Sequence, residues 1–324
     1  MGTLCIDRRG TRLEYKQRAL VIRKPDSKPR SVPLNLIERL LIIGSVELSS
    51  EVLIRLGEAG VGTVFMPARG QRRGTFLRAE THGDAMRRLG QYQLALSDPK
   101  NPYWARNLVR LRLAGQQRLL TCASHQRPDR RYALWPACQT IQSARSAACD
   151  PSLSLEQLRG LEGAGSAAFF RGFTSLFPDS LNFNDRNRRP PRDPVNALLS
   201  LGYTLAHGDA LRAIMTAGLD PAIGFLHQPA WGRDSLACDL NEIARARVER
   251  LTWHLFSTRA LSAEDFSGSP EEGFRLRKGA RHTFWEVCAQ QHRRWLKRAA
   301  LTLARECARY GPLLDDRDIP NDSV

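Results

Sequence analysis

The feature that most constrains this chain is a change of hydrophobic period near residue 80. Upstream, "TLCIDRR", "RLEYKQ", "ALVIRK" and "RSVPLNLI" alternate apolar and polar residues, or run apolar for a few positions, between Gly, Pro and Asp. A period of two marks strands, whose successive side chains point to opposite faces. "RLLIIGSVELS" predicts one continuous buried strand, "SEVLIRLGEAG" a helix stopped by Gly60, and "GTVFMPARG" a return to strand. From about residue 86 the period becomes 3.6: "GDAMRRLGQYQLALSDP" and "PYWARNLVRLRLAGQQRLL" predict amphipathic helices, and helical spacing continues to roughly residue 310. The expectation is an α+β multidomain chain. A small β-rich, β-sandwich-like domain over residues 1–85 precedes a larger all-α domain over 86–324, whose acidic tail "LLDDRDIPNDSV" is expected to be disordered.

Charge narrows the partner. Lys and Arg total 49 against 33 acids, a net charge of +16. Cations placed near phosphates release condensed counterions, so this surplus points to nucleic acid. The start "MGTLCIDRRGTRLEYK" has no apolar central region of a signal peptide, and no apolar run reaches the roughly 20 residues that span a bilayer; the expectation is a cytoplasmic chain. Seven scattered cysteines without a C-x-x-C pair argue against a zinc ribbon or disulfide framework. Two loops are dense in arginine: "SHQRPDRRY", and "NDRNRRPPRDP" with Arg186, Arg188, Arg189 and Arg192, which are candidates to grip phosphate.

Chemistry centres on a few acids. In "SLSLEQLRGLEGAGSAAFFRGFTSLF", Ser154 and Gln157 have capping-box spacing, and Leu155, Leu158, Glu162, Ser166, Phe169 and Phe173 share one face. Glu162 therefore sits on an apolar face, where a carboxylate must be protonated, paired or bound to metal. Gly163 and Gly165 beside it suggest that backbone or ligand approaches closely. Farther on, "AIGFL" is a short strand or buried turn, and His227 follows it. Asp234 or Ser235 then caps a helix with Leu236, Leu240 and Ile243 on its apolar side and Asp239 and Glu242 at i and i+3. Two acids so close repel unless a cation lies between them. One Glu, one His and one or two acids make a mostly oxygen site, which suits Mg²⁺ or Mn²⁺ better than Zn²⁺. In a basic chain such an ion would polarise a phosphodiester while arginines hold its neighbours.

"LEGAGSAAFFRGF", "DPVNALLSLGYTL" and "GLDPAIGFLH" followed by "SLACDLNEIAR" resemble, in order and spacing, the three signature segments of the CRISPR adaptation integrases, the Cas-one family. The resemblance implies a Mg²⁺- or Mn²⁺-dependent DNA endonuclease and integrase. It also implies a homodimer, dimerised through the β-rich domain, that works on double-stranded DNA in a higher complex with the Cas-two protein. A prespacer 3′-hydroxyl would attack a phosphodiester at the CRISPR repeat. Carried over by motif, the ligands are Glu162, His227 and Glu242, with Asp239 a fourth candidate or a support behind them. Asn196 and Tyr203 occupy the segment that the family places near metal and DNA, Tyr203 as a catalytic candidate. Arg245, Arg277, Lys278 and Arg281 are implied DNA contacts. Gln228 and Ala244 depart from the family pattern without removing a ligand.

A competing expectation is a non-catalytic basic scaffold in which Glu162, His227 and Glu242 form a structural polar network. A zinc hydrolase ranks last, because no H-E-x-x-H pair is present.

Overall fold

The computed structural model describes residues 2–67, 75–77, 84–97 and 102–310. The acidic tail and His82 fall outside the described residues.

The strand-rich region holds two four-stranded sheets. One has the order β1 (Gly2–Ile6), β5 (Ile37–Ile43), β7 (Gly62–Met66) and β8 (Thr75–Leu77), with the first three strands parallel. The other runs β4 (Arg30–Pro33), β3 (Ala19–Arg23), β2 (Thr11–Lys16) and β6 (Val46–Leu48). Between the sheets and α1 (Ser50–Glu58) lies a core of Leu13, Leu20, Ile22, Leu40, Ile42 and Leu56. Strand β5 explains its own sequence. Leu40 and Ile42 enter that core while Leu41 packs into the helical one, so both faces are buried and the strand reads as an apolar run without alternation. The single strand expected over "RLLIIGSVELS" is instead two, β5 and β6. Gly44 adopts φ +85, a left-handed conformation that glycine adopts at little cost, and turns the chain from one sheet to the other.

The helical part comprises α2 (Ala85–Ser97), α3 (Tyr103–Gln126), α4 (Arg131–Ala147), α5 (Leu155–Thr174), α6 (Pro194–Thr216), α7 (Ser235–Ser257) and α8 (Lys278–Tyr310). A small ribbon of β9 (Phe266–Ser267) and β10 (Arg275–Leu276) precedes α8. The expected capping box is present: the Ser154 hydroxyl accepts from the Gln157 amide at 3.2 Å, and Gln157 Oε1 accepts from the Ser154 amide at 2.8 Å. Helices α3, α5, α6 and α7 surround a core of aliphatic residues and a phenylalanine cluster in which Phe169 stacks on Phe173 at 4.9 Å. Each fully buried Leu or Phe there contributes about 2 kcal/mol. Sheet and helices are joined by charge as well, since buried Arg39 of β5 pairs with Asp209 of α6, which Arg293 of α8 approaches at 3.4 Å. No helix among the described residues is long and apolar enough to cross a membrane.

Candidate metal centre and arginine-lined pocket

Helix α5 brings Glu162 to the rim of the helical core. Leu158, Phe169 and Phe173 are buried as the helical spacing predicts, but Glu162 is only half-buried and faces a pocket of about 450 Å³. The two glycines beside it divide their roles. Gly165 is a close approach of α3, where an added Cβ would stand 2.3 Å from the Leu113 side chain, whereas Gly163 is open and lines the pocket.

"AIGFL" forms the buried turn, not a strand. It wraps the start of α7, with Leu236, Leu240 and Ile243 buried as expected, and Asp239 is what it wraps around. That carboxylate is fully buried and accepts four hydrogen bonds: from the amides of Phe225 at 2.6 Å, Leu226 at 3.1 Å and His227 at 2.9 Å, and from His227 Nδ1 at 2.7 Å. Gly224 makes the wrap possible, because a Cβ there would lie 2.7 Å from the His227 carbonyl and 2.8 Å from Asp239 Oδ2. Asp239 is thus saturated and away from the pocket, which it does not line. Its bond to Nδ1 fixes the ring tautomer and leaves Nε2 as the lone-pair atom, the arrangement that metal-binding histidines use. From the far side, Arg159 of α5 donates to the Leu226 carbonyl through Nε at 3.0 Å and Nη2 at 2.7 Å.

Glu162, His227 and Glu242 all line this same pocket. Glu162 Oε1 accepts from Ser166 at 2.7 Å, and Glu242 Oε1 accepts from Arg245 at 2.9 Å. No three His, Cys, Asp or Glu side chains among the described residues stand close enough to chelate an ion. The residues nonetheless fit a hard divalent cation. Glu242 Oε2 is buried without a hydrogen-bond partner, and the donors available are two carboxylates and one imidazole nitrogen.

Behind Glu242 is a buried charged network for which no single sequence motif stood. Arg112 of α3, 1% exposed, binds Glu249 of α7 through two bonds of 2.8 and 3.1 Å, and its Nε stands 3.6 Å from Glu242 Oε2. Glu249, with no exposure, also accepts the Tyr203 hydroxyl at 2.8 Å. The Tyr203 ring in turn carries the guanidinium groups of Arg245 at 5.0 Å and Arg186 at 5.4 Å. The ring closes through Arg245 and Glu242. Burial works against the charge on Arg112, but Glu249 and Glu242 outweigh it and raise its pKa. Burial pushes the Tyr203 phenol well above its ordinary range, and Glu249 adds to this. The Tyr203 hydroxyl thus donates to Glu249, and the residue stands beside the pocket between Glu249 and the two arginines. Glu249 lies two helical turns beyond Glu242 on the same face of α7, the one sequence signal that could have found it.

The arginines expected to hold phosphate separate into groups. Arg186, Arg188 and Arg245 line the pocket with Arg112, four guanidinium groups against two glutamates, so the cavity attracts anions. Burial lowers the Arg186 pKa, with Arg188 and Arg245 adding to the depression and Tyr203 opposing it. Arg189 and Arg192 are exposed outside the pocket, as is Lys278. Arg277 is exposed but donates to the Phe266 carbonyl at 2.9 Å. Arg281 pairs with Asp7 at 2.7 Å and donates to the Leu276 carbonyl, fastening α8 to the end of β1. Asn196 differs from its expected place near DNA. It is fully buried and spends its side chain on Asp193, the Asp185 carbonyl, the Asn187 amide and Arg186 Nη1 at 2.7 Å, so it shapes the arginine loop without surface to offer a nucleic acid.

A family model described as CRISPR associated protein Cas1 matches residues 4–290. A relative from Thermodesulfovibrio yellowstonii, "CRISPR-associated endonuclease Cas1 1", is 33% identical over 98% of this chain and 99% of its own. Two solved structures share the fold. A casposase bound to integration product superposes with TM-score 0.80 at 20% identity, covering 97% of this chain and 93% of its own. A Cas6-RT-Cas1–Cas2 complex gives TM-score 0.79 at 21% identity, covering 95% of this chain and 35% of that longer one. A whole-length relative one-third identical and a family model spanning both regions together identify the chain as a member of the Cas1 family.

Proposed function

We propose that this chain is a Mg²⁺- or Mn²⁺-dependent DNA endonuclease and integrase of CRISPR spacer acquisition, joining prespacer 3′-hydroxyl ends to the repeat by transesterification. The observation that carries the reading is the shared pocket: Glu162, His227 and the buried oxygen of Glu242 that accepts no hydrogen bond meet Arg186, Arg188 and Arg245 in one cavity. Glu162, His227 Nε2 and Glu242 would hold the ion, which when bound supplies a Lewis acid for the phosphoryl oxygens. Arg186 and Arg188 bind and orient the phosphates on either side of the reacting one, and Arg245 offers a third cation to charge that develops there. Asp239 accepts from Nδ1 of His227 and leaves Nε2 to face the ion, and the Tyr203 ring lies against the guanidinium groups of Arg186 and Arg245. In strand transfer one P–O bond forms as another breaks, the attacking hydroxyl loses a proton, and the departing strand's oxygen gains one.

Residues 1–85 are proposed as the dimerising unit and 86–324 as the catalytic one. Double-stranded DNA and a Cas2 protein are the proposed partners. Support for them comes from the net charge of +16 and from the Cas2 assembly of a structural neighbour. The test is transfer of a labelled duplex into a supercoiled plasmid bearing the repeat, with Cas2, in Mn²⁺ or EDTA. Metal-dependent products that Glu162→Gln abolishes support the reading, and products indifferent to both refute it. The scaffold alternative draws on the pairing of Glu242 with Arg112 and Arg245, and it predicts DNA binding with no transfer under any metal.

A further inference from the structure

We propose that Arg159 is a positioning residue of the metal centre, tying His227 to the helix that carries Glu162; this rests on the reading of Glu162, His227 and Glu242 as ligands. The peptide unit between Leu226 and His227 is held at both of its polar ends by different helices. Its carbonyl accepts both Arg159 bonds from α5, at 3.0 and 2.7 Å. Its N–H donates to Asp239 of α7 at 2.9 Å. A planar peptide held at carbonyl and amide has little freedom to turn, and the direction in which His227 leaves the backbone is set with it. Arg159 stands three residues before Glu162, so the two side chains leave the same side of α5 one turn apart. Asp239 and Glu242 have the same spacing on α7. One residue on each helix grips the His227 peptide while its neighbour one turn later lines the pocket. The clamp makes the three ligand-bearing elements a single unit, and Arg159 itself does not line the pocket.

The forked grip is specific to arginine. A lysine keeps the charge but presents one ammonium in place of two fixed N–H groups. The experiment titrates Mn²⁺ into the full-length chain and follows free ion by electron paramagnetic resonance, for wild type, Arg159→Ala, Arg159→Lys and His227→Ala. Thermal midpoints are measured in parallel. Groups that orient a metal ligand typically change affinity by about 10- to 100-fold, so Arg159→Ala should weaken Mn²⁺ binding by about that factor with its midpoint little changed. Arg159→Lys should fall between, and strand transfer by both should recover as Mn²⁺ is raised. Wild-type Mn²⁺ affinity in folded Arg159→Ala would overturn the proposal. So would an activity loss that Mn²⁺ does not rescue and that tracks weaker DNA binding with a smaller salt slope, which would make Arg159 a phosphate contact. Equal Mn²⁺ binding by wild type and His227→Ala would overturn the metal centre itself, and the clamp with it.

Discussion

Replacing Arg112 by methionine should be among the most destabilising single changes in the helical part. Arg112 is 1% exposed and Glu249 is wholly buried, joined by bonds of 2.8 and 3.1 Å. Without the guanidinium, Glu249 keeps only the Tyr203 hydroxyl, and Glu242 Oε2, which accepts no hydrogen bond, loses the cation 3.6 Å away. Removing one partner of a buried ion pair costs about 3–5 kcal/mol, because the other charge stays desolvated. At roughly 2 °C per kcal/mol for a chain of this size, the calorimetric midpoint should fall by about 6–10 °C. The double variant Arg112→Met with Glu249→Leu removes the stranded charge, so it should recover more than half of that loss. A midpoint within about 2 °C of wild type for Arg112→Met, or a double variant worse than the sum of its singles, would refute the reasoning.

Asp239→Asn puts an amide nitrogen among four donors and should cost about 1–3 kcal/mol while weakening Mn²⁺ binding by about 10- to 100-fold, read by calorimetric unfolding and titration. Gly224→Ala drives a methyl against the His227 carbonyl and Asp239, so the turn must shift; a loss of about 1–3 kcal/mol with diminished Mn²⁺ affinity is expected, and an unchanged protein would count against the tight wrap. The Tyr203 phenol, raised chiefly by burial, holds its proton in the folded chain above the pH of about 10 at which an unfolded tyrosine ionises. Its contribution is therefore complete below that pH and is lost as pH climbs past it. Tyr203→Phe should give a shallower loss of stability as pH rises above about 10 in thermal melts.

Much of the architecture was legible because hydrophobic period is a local property. The shift from two to 3.6, the capping box at Ser154 and the apolar side of α7 need only neighbours in sequence. The break at Gly44 was hidden because a strand buried on both faces leaves no alternation to interrupt. Residues at i and i+3 lie about 60° apart around a helix, so spacing brought Asp239 and Glu242 together but could not say which faced the pocket. The loop from Phe225 to His227 decides it by occupying Asp239. Arg112 and Glu249 are 137 positions apart, and nothing local distinguishes a buried arginine in "RNLVRLRLAG" from a solvated one. The same holds for Arg281, whose partner Asp7 lies at the other end of the chain.

The central claim is that His227 Nε2 and the two glutamates bind a divalent ion, and pulsed electron paramagnetic resonance of bound Mn²⁺ tests it most directly. The account predicts one tight Mn²⁺ per chain showing imidazole nitrogen coupling, with the coupling lost in His227→Gln and kept in His207→Gln. Tight Mn²⁺ without nitrogen coupling, or coupling that survives His227→Gln, would contradict it.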